Sequence, residues 1–421
     1  MDRRAFLGKI GGIGAAGAAL TAIPWFEACS PKTTAETSAE KVRIGIIGPG
    51  SRGRLHISNL LLVPQAEVVA LCDIYQPSLD AALKLVPNAR CYKDYRELLE
   101  CKDIDAVIIA VPLHMHYPIA KAAFEAGKNV LCEKALCYTM EQCLDLYRTG
   151  KASGKIFFVG QQRLFDPKYL IALDAIKKGE YGPVVNVRNY WFRNGDWRRP
   201  VPSPELERHI NWRLYREYSR GLMTELACHQ LQNGIFATGM LPTKVMGTGD
   251  IVYWKDGREV EDSVCCIYTF PNGVNMTFES VISNKHFGMG EQILCKDGTV
   301  DLPQGRFYPE ELQKKTAIRQ MIADIEKGIF SNPAFAGTSW VAETAEEKNG
   351  LAIMPEAVGR KDGRLLDGSL EMLQAFCNAC ITGKQPERVL EEGYYGTILC
   401  LLGDEAILQK KILEFPEEFR I

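Results

Sequence analysis

Residues Val42-Arg43-Ile44-Gly45-Ile46-Ile47 run directly into Gly48-Pro49-Gly50-Ser51-Arg52-Gly53. An apolar, β-branched run of this length is the pattern of a strand buried on both faces, and three glycines at this spacing tightly constrain what can follow it. The first glycine permits a tight turn, the second lets the backbone approach a pyrophosphate, and the third allows a helix, predicted over 52–62, to pack against the strand. Gly48, Gly50, Ser51, Arg52 and Gly53 are therefore expected to hold phosphates at a helix N-terminus.

A second apolar run, 67–72, ends at Asp73, about twenty residues past the glycines, where an acid meets the adenosine ribose hydroxyls. Its carboxylate would repel a 2′-phosphate, and Ile74-Tyr75 supplies no arginine to compensate, so NAD is the cofactor expected. A strand-end aspartate that merely caps the next turn is the alternative. Strands are also predicted over 104–111 and 129–132, with a helix over 118–126 between them. Four βα units make a doubly wound parallel sheet, an α/β Rossmann domain, with ligands outside the carboxyl ends of its strands. Pro112, His114, His116, Glu133 and Lys134 all fall there. His114 and His116 have no carboxylate or cysteine cluster at metal-ligand spacing beside them, and no metal is expected.

Five segments together resemble the glucose-fructose oxidoreductase / inositol dehydrogenase / MocA family of NAD(P)-dependent sugar oxidoreductases. They are Gly48–Gly53, the Ala110-Val111-Pro112 turn with His116, Glu133-Lys134, Gln162-Arg163-Leu164-Phe165-Asp166-Pro167, and the stretch from Gly221 to His229. The resemblance spans 41–303, with a looser echo over 368–412. It implies that Lys134 and His229 carry the chemistry, with Glu225 four residues before the histidine. Ala135 stands where the family usually has proline, and Glu225 where it usually has aspartate. The residues themselves agree. Spacing i, i+4 puts Glu225 and His229 on one helix face, where the carboxylate can fix the imidazole tautomer or share in substrate binding. Oxidising an alcohol requires a base for the hydroxyl proton, for which His229 is suited, and a cation such as Lys134 to stabilise the developing alkoxide.

From about residue 168 the pattern changes to a helix ending near 178 and strands over 184–192, 243–254, 262–270, 274–283 and 291–302, with helix 221–238 packed on them. This predicts a C-terminal α+β domain with an open, largely antiparallel sheet. One sheet face covers helices, and the resemblance implies that the other meets a second subunit in a homo-oligomer, a dimer or tetramer. Between the first of these strands and the catalytic segment, aromatics alternate with arginines. Trp191, Arg193, Trp197, Trp212 and Tyr215, together with Arg163 and His229, are candidate sugar contacts. The domain plan is thus 1–40 leader and linker, 41–164 dinucleotide-binding domain and 165–421 substrate domain. Residues 304–366 form an insertion with an amphipathic helix near 314–327. Two closing helices, 369–381 and 391–409, pack on one of the two domains.

The first forty residues read as an export signal of the twin-arginine type, with Arg3-Arg4, Phe6 and a Gly/Ala-rich apolar run to Ile23. Such signals carry proteins already folded around a cofactor, so a periplasmic location is expected. Cys29 is a candidate lipid acceptor, with cleavage to a free periplasmic protein as the alternative. The fourteen cysteines are scattered through apolar runs and read as core thiols. Cys265 and Cys266 point to opposite faces of a strand, and Cys377 and Cys380 pack on the core rather than form a redox pair. A formal charge of -2 offers no field for nucleic acid. Three functions remain. The first is an exported NAD-dependent oxidoreductase acting on a hydroxyl of a sugar or glycoside, with a retained, recycled cofactor. The second is a hydrolase or lyase working by transient oxidation and elimination, as in glycoside hydrolase family 109, with Tyr190, Tyr215 or His209 as a further acid/base. The third is a non-catalytic sugar-binding lipoprotein.

Overall fold

The strand that leads into the glycines lies at the centre of a six-stranded parallel sheet of order β3-β2-β1-β4-β5-β6 in the computed structural model. The structure describes residues 40–310, 349–354, 360–361, 364–365 and 367–421. The expected export signal, Cys29 and the helix expected near 314–327 lie outside them. The strands are β1 Val42–Ile47, β2 Ala66–Cys72, β3 Arg90–Tyr92, β4 Ala106–Ile109, β5 Asn129–Cys132 and β6 Phe157–Val159. Helices α1 Ser51–Leu60, α2 Gln76–Leu83, α3 Tyr95–Glu100, α4 His116–Glu125 and α5 Met140–Ser153 make the crossovers. Helices on both faces explain why the central strands are apolar throughout, with Ile44, Ile46, Ile108 and Leu131 fully buried. The sheet holds six strands rather than the four expected, because β3 and β6 are three residues each, too short for periodicity to reveal. Strand order reverses between β1 and β4, which opens a crevice at their carboxyl ends.

Helix α6 Pro167–Lys177 begins at Asp166, whose side chain accepts from the backbone of Lys168 at 2.9 Å. It leads to β7 Val184–Phe192, in the middle of a nine-stranded sheet of order β14-β13-β12-β11-β7-β10-β9-β8-β17. Its other strands are β8 Lys244–Asp250, β9 Ser263–Thr269, β10 Asn275–Val281, β11 Met289–Cys295, β12 Gly298–Asp301, β13 Arg306–Pro309, β14 Leu351–Ala352 and β17 Leu413–Glu414. A separate hairpin pairs β15 Arg360–Lys361 with β16 Arg364–Leu365. Every pairing in the large sheet is antiparallel except β7 with β10, which runs in register from Asn186↔Asn275 to Phe192↔Val281. The stretch 291–302 is the hairpin β11–β12, which turns at Lys296-Asp297, a turn the sequence also offers. Alternation sends Val264, Cys266 and Tyr268 of β9 and Met276 and Phe278 of β10 into the core, while Cys265 stays half-exposed on the open face.

The helix expected over 221–238 is not α-helical throughout. Met223–Ala227 is a π turn, and the α-helix, α7, runs Cys228–Thr238. Of the last two helices, α8 Ser369–Thr382 packs on the first domain as expected, whereas α9 Val389–Gln409 bridges both domains instead of joining one. Helix α8 packs on β1 and α1, and α9 packs on α7, β8 and β9 of one domain and on α5 and β6 of the other. An element covered all round must be apolar all round, as Thr397-Ile398-Leu399-Cys400-Leu401-Leu402 is. Cys377 is buried and Cys380 largely so. Burial pushes the Cys377 thiol up to about 12, which suits a packing role.

Candidate functional site

Every residue of the site's floor follows a Rossmann strand. After β1, Gly48 adopts φ +86°, and a Cβ there would stand 2.7 Å from the backbone of Ala110. A Cβ on Gly53 would meet the Gly48 carbonyl oxygen at 2.3 Å, so helix and loop touch backbone to backbone. A Cβ on Gly50, by contrast, would meet nothing within 4 Å. That open space lies at the N-terminus of α1, whose first turn begins at Ser51 and carries no acidic residue. The loop thus fits a diphosphate: two glycines are consumed by the fold and the third leaves room for a ligand.

After β5, Glu133 is buried and binds back to the loop. Its Oε1 accepts from Arg52 Nε at 2.5 Å and lies 2.7 Å from His56 Nε2. Burial opposes ionisation, but the Arg52 charge and the His56 hydrogen bond outweigh it and hold the carboxyl well below the usual range. Glu133 therefore ties the α1 N-terminus to the loop that carries Lys134. After β2, Asp73 Oδ1 accepts from the backbone of Tyr75 at 2.8 Å, so the carboxylate closes the turn while standing at the ribose position. Burial pushes its pKa up. Pro112 precedes a single 3-10 turn, Leu113–Met115. His116 is buried, with Nδ1 2.8 Å from the Ala135 carbonyl oxygen and Nε2 3.0 Å from that of Val111. It braces the two loops rather than facing the crevice. His114 packs edge-on against Tyr218, with ring centroids 4.8 Å apart.

Lys134 projects from the Rossmann domain to the π turn, where Nζ donates to the Glu225 carbonyl at 2.7 Å and lies 3.4 Å from that of Thr224. The Lys134–Ala135 peptide is cis. Glu225 does not act on His229 as the four-residue spacing suggested. A π turn is wider than an α turn, so residues four apart no longer stack, and Glu225 Oε2 accepts from Arg213 Nε at 2.7 Å. Burial opposes its ionisation, yet the charges of Arg213 and Lys134 hold the carboxyl below its ordinary value.

The partner of His229 is Gln161, just past β6, a residue that motif reading missed. Its position at the carboxyl end of a parallel strand was the available signal. Gln161 Nε2 donates to the carbonyl oxygen of Cys228 at 3.3 Å and to its Sγ at 3.0 Å, which turns Oε1 toward His229 Nδ1 at 3.0 Å. An amide oxygen only accepts, so Nδ1 carries the proton and Nε2 keeps its lone pair. Burial, then the charges of Arg163 and Lys134, push the imidazole pKa well below its ordinary value. Arg163 is buried and ion-paired with Glu291, which also accepts from Tyr169 at 3.0 Å and Asn233 at 2.5 Å.

Of the aromatic candidates, Trp191 packs beside the base, its ring centroid 6.4 Å from that of His229, with Arg163 at 5.2 Å and Arg193 at 5.4 Å from its ring. Trp197 is half-buried with φ +61°, and Arg213 covers Trp212 at 4.2 Å. Tyr215 is buried and donates to Glu207 Oε1 at 2.6 Å, so its hydroxyl is committed to an ion-paired carboxylate. Among the described residues no group of three or more His, Cys, Asp or Glu side chains is placed to hold a metal ion, and no helix is long and apolar enough to cross a membrane.

The chain matches the family model described as "Oxidoreductase family, NAD-binding Rossmann fold" over residues 42–161, and the "GFO/IDH/MocA C-terminal domain" over 169–301. It is 35% identical over 225 residues to a glycosyl hydrolase family 109 protein of Parabacteroides distasonis, covering 48% of each chain. It is 34% identical over 203 residues to an alpha-N-acetylgalactosaminidase of Tannerella forsythia, covering 44% of this chain and 43% of that one. The chain thus spans about half the length of the curated relatives it matches. Among solved structures, levoglucosan dehydrogenase in complex with NADH and levoglucosan superposes with a TM-score of 0.68 at 19% identity, covering 90% of this chain and 100% of that one. Scyllo-inositol dehydrogenase from Lactobacillus casei, with bound NAD(H) and scyllo-inositol, gives 0.65 at 18%, covering 89% and 99%.

Proposed function

Because the chain belongs to the Gfo/Idh/MocA family of NAD-binding oxidoreductases, we propose that it moves a hydride between NAD and a ring hydroxyl of a sugar or glycoside, keeping the cofactor between turnovers. The observation that carries this reading is the neutral His229, its Nε2 lone pair fixed by Gln161, on the same helix as the carbonyls that hold Lys134. NAD, when bound, supplies the hydride acceptor. His229 Nε2 takes the hydroxyl proton as the hydride leaves the same carbon, and the Lys134 ammonium hydrogen-bonds the oxygen while it carries negative charge. Reduction runs the same path backwards. Trp191 offers a face on which a sugar ring stacks, and Arg193 a donor for its hydroxyls.

Export as a folded holoprotein, with Cys29 lipidated or the signal simply removed, is part of this proposal. Free NAD is scarce outside the cytoplasm, so a retained cofactor would have to be recycled on a second sugar. A homo-oligomer formed through the half-exposed face of the nine-stranded sheet completes it. The first experiment denatures the purified mature protein, identifies any released nicotinamide by mass, and follows reduced-nicotinamide absorbance while glycosides are added to the holoprotein. Reduction or reoxidation of the bound cofactor supports the reading. A protein that carries no nicotinamide and binds none sinks it, and moves the reading to a sugar-binding lipoprotein.

A second reading rests on the family 109 relatives and on Glu225, a largely buried carboxylate kept ionised beside Lys134. Oxidation at sugar carbon 3 acidifies the proton on carbon 2. A base removes that proton, the aglycone leaves carbon 1, water adds, and reduction restores the sugar with no net change in NAD. Glu225 is a candidate base. Aglycone release without net NADH, abolished by His229→Ala, favours this route, whereas a keto sugar with its glycosidic bond intact excludes it.

A further inference from the structure

Between β7 and the π turn, residues 193–218 stay tied to the substrate domain, through Arg198 on Asp256, Arg208 on Glu259 and Arg216 on Glu261, and also reach over to the Rossmann domain. The His209 ring is 5.8 Å from that of Tyr75, just past β2. Tyr218 packs at 4.8 Å on His114, just past β4. The carbonyl of Arg216 accepts from the hydroxyl of Tyr138, past β5. In the sheet, β1 lies between β2 and β4. A segment anchored after β2, β4 and β5 therefore crosses above the carboxyl end of β1, where the Gly48–Gly53 loop sits.

Arg199 belongs to this crossing. Its backbone N–H donates to Asn211 Oδ1 at 2.7 Å, and its carbonyl accepts from Asn211 Nδ2 at 3.0 Å, so the main chain is pinned on both sides. The charges that act on its guanidinium are of its own sign. Partial burial, then Arg213 and Arg54, lower its pKa. Arg213 is spoken for by Glu225. Arg54 folds back onto the Pro49 carbonyl at 3.1 Å, over the glycine loop itself. Among the described residues no carboxylate pairs with Arg199, which is exposed, so its charge is available to an anion held at the loop.

We propose that this segment supplies the second half of the dinucleotide site, with Arg199 and Arg54 gripping the diphosphate bridge from opposite domains and His209 closing over the adenosine ribose beside Asp73. The proposal rests on the NAD-dependent reading above and gives it a means of retaining the cofactor. A carboxylated or phosphorylated sugar carries the same anionic chemistry, and the experiment separates the two sources.

Full-length protein and its Arg199→Ala and His209→Ala variants are loaded with NADH, and dissociation is followed by nicotinamide fluorescence during a chase with excess NAD. Loss of one charge-assisted contact is expected to speed release about tenfold or more in Arg199→Ala. Affinity for reduced nicotinamide mononucleotide, which lacks the diphosphate bridge and the adenosine, should change less than about twofold. His209→Ala should weaken ADP-ribose and gives an independent reading if Arg199→Ala folds poorly. NADH release unchanged in both variants overturns the proposal. So does a loss in Arg199→Ala confined to acidic glycosides, which would assign the cluster to the substrate. Wild-type protein that binds no NADH overturns the functional reading as well, so the two failures are distinguishable.

Discussion

At His229 the tautomer and the pKa are set by different neighbours. Gln161 decides which nitrogen bears the proton, while burial and the charges of Arg163 and Lys134 keep the ring neutral. A base with a depressed pKa remains unprotonated as pH falls through the ordinary histidine value of about 6.5. The rate of alcohol oxidation, kcat/KM, should therefore stay level from about pH 8 through 6.5, with its acidic limb lying lower. Replacing Gln161 with glutamate places a negative charge on Nδ1–H, which favours the imidazolium and raises the pKa. In Gln161→Glu the acidic limb should move up by about one pH unit or more. An acidic limb at the same pH in both proteins would remove Gln161 from this role.

At the scale of the element, the strand–loop–helix unit makes opposite predictions for two glycines three residues apart. Gly53→Ala forces a methyl group against the Gly48 carbonyl oxygen and should cost about 1–3 kcal/mol of stability with or without ligand. Gly50→Ala meets no protein atom, so the apo melting temperature should hold while the rise on adding NAD disappears. Thermal melts of both variants with and without NAD check this, and a Gly50→Ala protein that NAD still stabilises would place the diphosphate elsewhere. This unit was legible in the sequence because strand, turn and helix signals coincide within a dozen residues. Asp73 and Lys134 were legible because strand ends mark the crevice. The Gln161–His229 contact was not, since it joins residues 68 apart and follows a strand of three residues. Nor was the π turn at Met223–Ala227, because its apolar pattern is equally that of an α-helix and only the tertiary setting, with Lys134 on its carbonyls, distinguishes them.

At the scale of the molecule, the two sheets are joined through α9, and one buried carboxylate on it fastens the segment that leads into the π turn. Asp404 is fully buried, accepts from Arg216 at 2.9 and 3.1 Å and from Arg220 at 2.6 Å, and so fixes the chain just ahead of the π turn. Each arginine keeps another acidic partner, Glu261 for Arg216 and Glu405 for Arg220. Asp404→Asn preserves shape but removes the shared charge, leaving two guanidiniums close together with less compensation. Breaking a buried pair in this way typically costs about 3–5 kcal/mol, and the remaining carboxylates place the expectation at the lower end of that range. Because α9 packs on α5 and β6 of one domain and on α7 and β8 of the other, the loss should fall on the whole molecule. Urea unfolding should show one transition with a lower midpoint and an unchanged slope. If the variant instead unfolds in two steps, with NAD protecting only the first domain, then α9 does not couple the domains, and the contacts that bring Lys134 to the catalytic helix must be maintained by the segment 193–218 alone.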